Sequence, residues 1–133
     1  MKAIAAKITK GINIGSLVNV ADNSGAKIVR IVGIKGGKSK KGRQISCGVG
    51  SLVKVSVRKG LTEMKKQVFW AVIVRQKKEY RRATGERICF ADNAAVLLKD
   101  EEGNPKGTQI KGPIAREAAE RWPFVARIAS TVV

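Results

Sequence analysis

The side chains of this sequence that could do chemistry are almost all cations. Lysine and arginine number 27, aspartate and glutamate 10, and histidine is absent, giving a formal net charge of +17 over 133 residues. Without histidine, the commonest general base and the commonest transition-metal ligand are both missing. Asp22-Asn23-Ser24 could suggest a catalytic cluster. With one acid and no base nearby, the side chains are better suited to bonding backbone amides in a turn, and Gly25 supplies the positive φ. Cys47 and Cys89 make a poor zinc site without histidine partners. They could form one disulfide, but in a reducing cytosol they are expected to be two buried small hydrophobes. The segment Gly36-Gly-Lys-Ser-Lys-Lys-Gly-Arg43 lacks the spacing of a P-loop, so nucleotide hydrolysis is not indicated. No catalytic residue, metal or cofactor is expected.

The position of the charge says more than its total. Residues 27–87 hold 18 cations against three acids, whereas the other 72 residues hold nine against seven. Three groups stand out. The first is Lys35, Lys38, Lys40, Lys41 and Arg43; the second is Lys54, Arg58, Lys59, Lys65 and Lys66. The third is Arg75, Lys77, Lys78, Arg81, Arg82 and Arg87. Solubility does not require clusters of one sign, and such clusters repel one another in the folded state. A phosphate backbone removes that repulsion and releases its counterions. The expected partner is a nucleic acid. A membrane surface would call for a basic amphipathic helix or a lipid anchor, and neither is present in the basic stretch. The N-terminal Met-Lys-Ala-Ile-Ala-Ala-Lys-Ile-Thr-Lys is interrupted by Lys7 and Lys10 and does not read as a secretory signal.

Strands and loops must position these cations. Residues 16–21 and 26–34 read as strands around the Asp22–Gly25 turn, and 36–43 as a mobile loop with nothing apolar to bury. Residues 51–58 alternate, with Val53, Val55 and Val57 on one face and Lys54, Ser56 and Arg58 on the other. Residues 67–74 form a long apolar strand in which at least one of Phe69 and Trp70 faces the core. Residues 75–87 read as a hairpin excursion. Tyr80, with only polar neighbours, either stacks on a base or packs on an arginine stem. Residues 88–90 and 94–98 are short strands, and Asp100–Pro105 is an acidic turn suited to a position away from RNA. After Gly112-Pro113, residues 114–122 read as a helix, and Pro123 begins a second helical stretch to the end. Arg116, Glu117, Glu120 and Arg121 carry both signs, which suits a protein contact. The expected class is mainly β: a single domain over 1–133, about five strands closed into a small barrel through 111, then two short helices over 112–133.

Several of these residues together resemble a known family. Val20-Ala-Asp-Asn-Ser-Gly-Ala-Lys27 is similar to an early turn motif of the universal large-subunit ribosomal protein fourteen family, in its archaeal or eukaryotic-like form. A second signature opens with Ala71-Val-Ile-Val74 and continues at Gly85, Phe90, Asn93, Val96 and Leu97. Gly112-Pro113 before the helix also matches, and Thr84 departs from the Asp, Asn or Ser usual before that glycine. The likeness covers essentially the whole chain. It implies a five-stranded barrel with a projecting β-ribbon and a helical tail, and a cytoplasmic, non-enzymatic role in the ribosome. It further implies contact with large-subunit ribosomal RNA, with neighbouring ribosomal proteins, with small-subunit RNA at an intersubunit bridge, and with an anti-association factor. The residues expected at the RNA are Lys35, Lys38, Lys40, Lys41, Arg43, Arg58, Lys59, Lys65, Lys66, Arg75, Lys77, Lys78, Arg81 and Arg82. Arginine engages phosphate through a bidentate edge, lysine as a point charge. Such contacts read backbone and shape more than base identity.

Overall fold

The computed structural model describes residues 2–133. Strands are β1 (Ala6–Lys7), β2 (Ile12–Asn13), β3 (Leu17–Val20), β4 (Ala26–Ile34), β5 (Ser46–Cys47), β6 (Leu52–Gly60), β7 (Val68–Arg75), β8 (Tyr80–Arg82), β9 (Arg87–Ile88), β10 (Ala94–Leu98), β11 (Pro113–Ile114) and β12 (Thr131–Val132). Two short helices, α1 (Arg116–Arg121) and α2 (Pro123–Arg127), lie between the last two strands.

Five strands close into a barrel in the order β10-β3-β4-β6-β7. Every pairing is antiparallel except β10 with β3, which is parallel and completes the circle. Closure leaves these strands no free edge. Register shifts between β4 and β6, at Ala26/Ile28, Ile28/Val29 and Ile31/Gly33, bend the long strands around so small a circumference. At the start of this pairing, Gly25 (φ +104°) and Gly60 meet backbone to backbone, and a Cβ on Gly60 would stand 2.6 Å from the Gly25 carbonyl oxygen. Gly60 has no room for a side chain there, and the Asp22–Gly25 turn ends in glycine because of its left-handed φ, with Leu61 Cδ1 2.8 Å from where a Gly25 Cβ would stand.

Two apolar cores share the barrel wall. The interior holds Val18, Val29, Ile31, Val53, Val55, Val57, Ala71, Ile73, Ala95 and Leu97, capped by Ile12 and Met64. The second core lies outside the wall, where Val72 and Val74 of β7 and Ala94, Val96 and Leu98 of β10 pack against Ile114, Ala118, Trp122 and Val125 of the tail. Strands β7 and β10 are thus covered on both faces, which is why both read as continuous apolar runs. Strand β6, after Leu52 joins the outer core, faces the interior core on one side only and alternates.

The C-terminal stretch differs from the sequence expectation. Helix α2 stops at Arg127, and Thr131–Val132 instead forms a parallel pair with Pro113–Ile114. The β-branched Thr131-Val132-Val133 end favours that extended pairing over more helix. Cys47 is buried as expected, but Cys89 is exposed and both thiols are free. Its strand β9 ends at Ile88, so no core reaches it. Burial pushes the Cys47 thiol up to about 11.

Val55 is completely buried in the barrel interior. Its replacement by aspartate is expected to cost roughly 4 kcal/mol or more, because the carboxylate has no partner there. Thermal unfolding followed by circular dichroism should show lost cooperativity or no soluble protein, and a wild-type midpoint would overturn the register.

Candidate nucleic-acid interface

The first basic group occupies the loop between β4 and β5. Its stems are pinned: the Lys35 amide donates to the Leu52 carbonyl, and Ile14 donates to Ile45. Between them Lys38, Lys40, Lys41 and Arg43 are exposed, and Lys41 adopts φ +57° in the tight turn before Gly42. Lys35 is the one cation of this group with an acidic partner, bonding Glu101 at 2.9 Å. That pair corrects the expectation for the acidic turn, which is folded by Asp100 accepting from Asn104 and Glu102 and lies beside the basic loop rather than away from it. In the second group Arg58, Lys59, Lys65 and Lys66 are exposed. Arg58 and Lys59 border an apolar groove of about 410 Å³ with Leu17, Ile28 and Arg30. Lys54 covers the Trp70 ring at 4.6 Å, and Lys106 covers Phe69 at 5.0 Å, so cations cap both half-buried rings.

The hairpin over 80–88 exists, and β1 joins it as a third strand. Strand alternation divides its residues. Arg81 faces out, directly opposite Lys7 on one side and Arg87 on the other, so three cations stand in a row across three strands. Glu79 pairs with Arg87 at 3.2 Å, and Lys7 and Arg81 have no acidic partner among the described residues. Like charges directly opposed are unfavourable in a free sheet. Lys77 and Lys78 precede this row and are exposed, and Gly85 (φ +93°) makes the turn at the exposed tip.

Tyr80 and Arg82 face the other way: of the two roles open to Tyr80, packing on an arginine is the one seen, with the Arg82 guanidinium 6.0 Å from its ring centre, and Arg82 departs from its expected place at the RNA. Tyr80 is fully buried, with its hydroxyl donating to Glu117 at 2.7 Å, so no base can reach its ring. Arg82 is 8% exposed; it donates from Nε to Glu117 at 2.8 Å and from Nη2 to the Val133 carbonyl at 2.6 Å. Its Nε and Nη2 are committed to protein acceptors, which makes it a part of the scaffold. Glu117, expected at a protein-facing surface, is buried between them, while Arg116 and Glu120 are exposed and Arg121 is half-buried. Arg75 is likewise occupied, since it bonds Asp92 through Nε and Nη2 and the Lys111 and Pro113 carbonyls through Nη1. Its task is to fasten the end of β7 to the tail.

The remaining polar residues of the motifs are also structural. Asp22 accepts from Ser24 through Oδ1 and from the Leu97 amide through Oδ2, and Asn23 binds the Thr108 and Gln109 amides. Burial pushes the Asp22 carboxyl above its usual range despite these bonds. Residues 22–24 therefore form the expected turn and also tie it to β10 and the segment after it. Sequence reasoning missed Gln76, fully buried, which accepts from the Val49 amide and donates to the Thr9 and Lys78 carbonyls. It also missed the cations Lys7, Lys10 and Arg30, which lie outside the obvious clusters and reach them only through pairing and folding.

Residues 11–133 match the family described as ribosomal protein L14p/L23e. The large ribosomal subunit protein uL14 of Nanoarchaeum equitans is 54% identical over 133 residues, the whole of both chains. The corresponding protein of Methanothrix thermoacetophila is 50% identical, again over the whole of both chains. That of Methanococcus vannielii is 48% identical over 132 residues, 99% of each.

The buried cluster can be tested through its charge. Burial alone would push the Glu117 carboxyl up, but the bonds from Arg82 and Tyr80 outweigh it and hold the group below its ordinary value. Burial and the neighbouring carboxylate push the Tyr80 hydroxyl well up. A carboxylate with a depressed folded pKa gives stability that is present above its unfolded pKa and lost as the pH falls through its folded value. Glu117→Gln keeps the shape and strands the Arg82 charge, so it should cost about 3–5 kcal/mol at neutral pH. The gap between wild type and variant in urea unfolding should narrow as the pH falls below about 4.3, the unfolded carboxyl value. A pH-independent gap would show that ionisation of Glu117 is not what holds the tail.

Proposed function

The chain belongs to the ribosomal protein L14p/L23e family, and on that premise we propose that it docks on large-subunit ribosomal RNA through its basic loop and ribbon and helps form the face that meets the small subunit. As a member of this family it is a structural constituent of the large ribosomal subunit and not an enzyme. The observation that carries the RNA reading is the outward row Lys7–Arg81–Arg87, with the exposed Lys38–Arg43 loop. Both present cations without enough acids to balance them, on a scaffold whose carboxylates are largely engaged elsewhere. A polyphosphate is the partner that turns this repulsion into binding.

The RNA-facing set is then Lys35, Lys38, Lys40, Lys41 and Arg43 on the loop, Lys7, Lys77, Lys78, Arg81 and Arg87 on the ribbon, and Arg58, Lys59, Lys65 and Lys66 at the far end of β6 and the turn after it. Arg75 and Arg82 leave the set because each is bonded to protein acceptors through its Nε and Nη2. Neighbouring ribosomal proteins, or a factor that keeps the subunits apart, fit the tail better. There an apolar cleft of about 490 Å³ formed by Trp122, Pro123 and Phe124 is rimmed by Glu101, Glu102 and Glu120. Contact with small-subunit RNA at an intersubunit bridge falls to whichever exposed cations the large-subunit RNA leaves uncovered. The cellular place that follows is the cytoplasmic ribosome. No helix among the described residues is long and apolar enough to cross a membrane.

Replacing Lys40, Lys41 and Arg43 together by alanine should weaken filter-bound complexes with large-subunit RNA. It should also lower the slope of log affinity against log salt by about one for each phosphate that is no longer neutralised. A triple variant with the wild-type slope would remove the loop from the interface.

A further inference from the structure

Beneath the basic loop lies a cavity of about 420 Å³, bordered by Ile4, Ile8, Lys10, Lys35, Leu52 and Arg121 among others. A second cavity, of about 440 Å³, continues it under Lys38, Lys40 and Arg43. The two share Lys10, Gly36, Gly37 and Ser46, so they form one trough. Its lining includes six cations and no carboxylate, although Glu101 reaches in from the rim to Lys35. Exposed pairs of that kind contribute little and yield readily to a phosphate. The neighbouring cleft on the tail carries three carboxylates beside Lys2 and Arg121, so Arg121 stands between the two hollows.

Arg121 supplies a second, independent sign. Its Nε is buried and has no hydrogen-bond partner. It forms no ion pair among the described residues, and its stem lies against Gly50, near Ile4. A buried guanidinium N–H left unsatisfied is uncommon, and an acceptor from outside the chain at this arginine would relieve it. The floor beneath it is aliphatic. The trough is too small for a duplex, but it has room for a base and its phosphate.

We propose that this trough seats an unpaired RNA nucleotide, its base on the Ile4, Ile8 and Leu52 floor and its phosphate at Arg121 and Lys10. The proposal rests on the RNA-binding reading above and adds to it a single-stranded subsite. Unstacked bases held on apolar side chains within a basic groove are a common route to single-strand recognition. Arg121 thereby moves from the protein-facing surface expected of it to the RNA side, and Lys10 joins the interface.

The test uses the full-length chain and a fluorescein-labelled five-nucleotide oligouridylate, with a short RNA duplex as the comparison. Arg121→Gln removes the charged edge, and Ser46→Phe fills the passage between the two cavities without changing charge. Each should weaken pentanucleotide binding by roughly 5- to 10-fold and leave duplex binding within about twofold. Arg121→Gln should also lower the single-strand salt slope by about 0.7. Independently of any variant, a 4-thiouridine pentanucleotide should crosslink the wild-type chain within residues 4–52 or at the end of α1. Unchanged pentanucleotide affinity, equal losses on the duplex, or crosslinks confined to the ribbon would each overturn the subsite. A wild-type chain that binds large-subunit RNA but places its crosslinks elsewhere loses only this proposal. A chain that binds neither RNA overturns the broader reading with it.

Discussion

The structure depends on burying β7 and β10 on both faces. Their inward side chains fill the barrel and their outward ones form the floor of a second core, so the tail is a wall of the molecule rather than an appendage. Neither half of this arrangement is sufficient alone. Without the tail, Val72, Val74, Val96 and Leu98 would form an apolar stripe on the surface of the barrel. Such a patch invites association. The tail is therefore fixed by directional bonds as well as apolar contact. Glu117 receives Tyr80 and Arg82 from the ribbon, Trp122 Nε1 donates to the Gly50 carbonyl, and Arg75 reaches the carbonyls ahead of α1.

These ties also sort the charges. The chain has few carboxylates, and several of them serve the fold: Asp22 holds a turn to β10, Asp92 holds Arg75, Asp100 closes its own turn, and Glu117 neutralises a buried arginine. The cations they pair with, Arg75 and Arg82, belong to the scaffold. Glu63, Glu79, Glu86, Glu101, Glu102 and Glu120 stay exposed, but the acids drawn into the fold leave the surface cations further outnumbering them. The imbalance on the loop and the outer ribbon is thus partly a consequence of how Asp22, Asp92 and Glu117 are deployed.

How much of this was legible in the sequence depended on whether one residue's neighbours decide its role. The strand at 94–98 and the one at 26–34 show directly, because a run of β-branched and apolar residues bounded by turn formers has one reading. The one-sided burial of β6 shows in its alternation. The dense apolar run of β7 pointed to deep burial without revealing that a helical tail supplies the second cover. In the ribbon the local signal misled. Tyr80 among cations looks exposed, and only the strand pairing, which sends Tyr80 and Arg82 toward Glu117 and Arg81 toward Lys7, separates the buried arginine from the free one. Adjacent arginines of identical chemistry have opposite tasks, and the parity of a three-residue strand decides between them. The nearness of Lys10 and of Arg121, which the sequence suggested for a protein contact, to the basic loop was hidden for a related reason, since both approach it only through the folded chain.

This sorting has a consequence for assembly. The barrel, the tail clamp and the loop stems are held by bonds internal to the chain, whereas the outward cations are opposed chiefly to one another. The free protein should then be a rigid body with electrostatically loaded extremities. On the proposed RNA-binding reading, binding asks for little reorganisation of the scaffold and gains the relief of that repulsion along with counterion release. The ordering that binding does require falls on residues 36–43, whose side chains have nothing in the protein to pack on. A short loop with pinned stems limits that entropic cost, because its ends are already in register before the phosphate arrives.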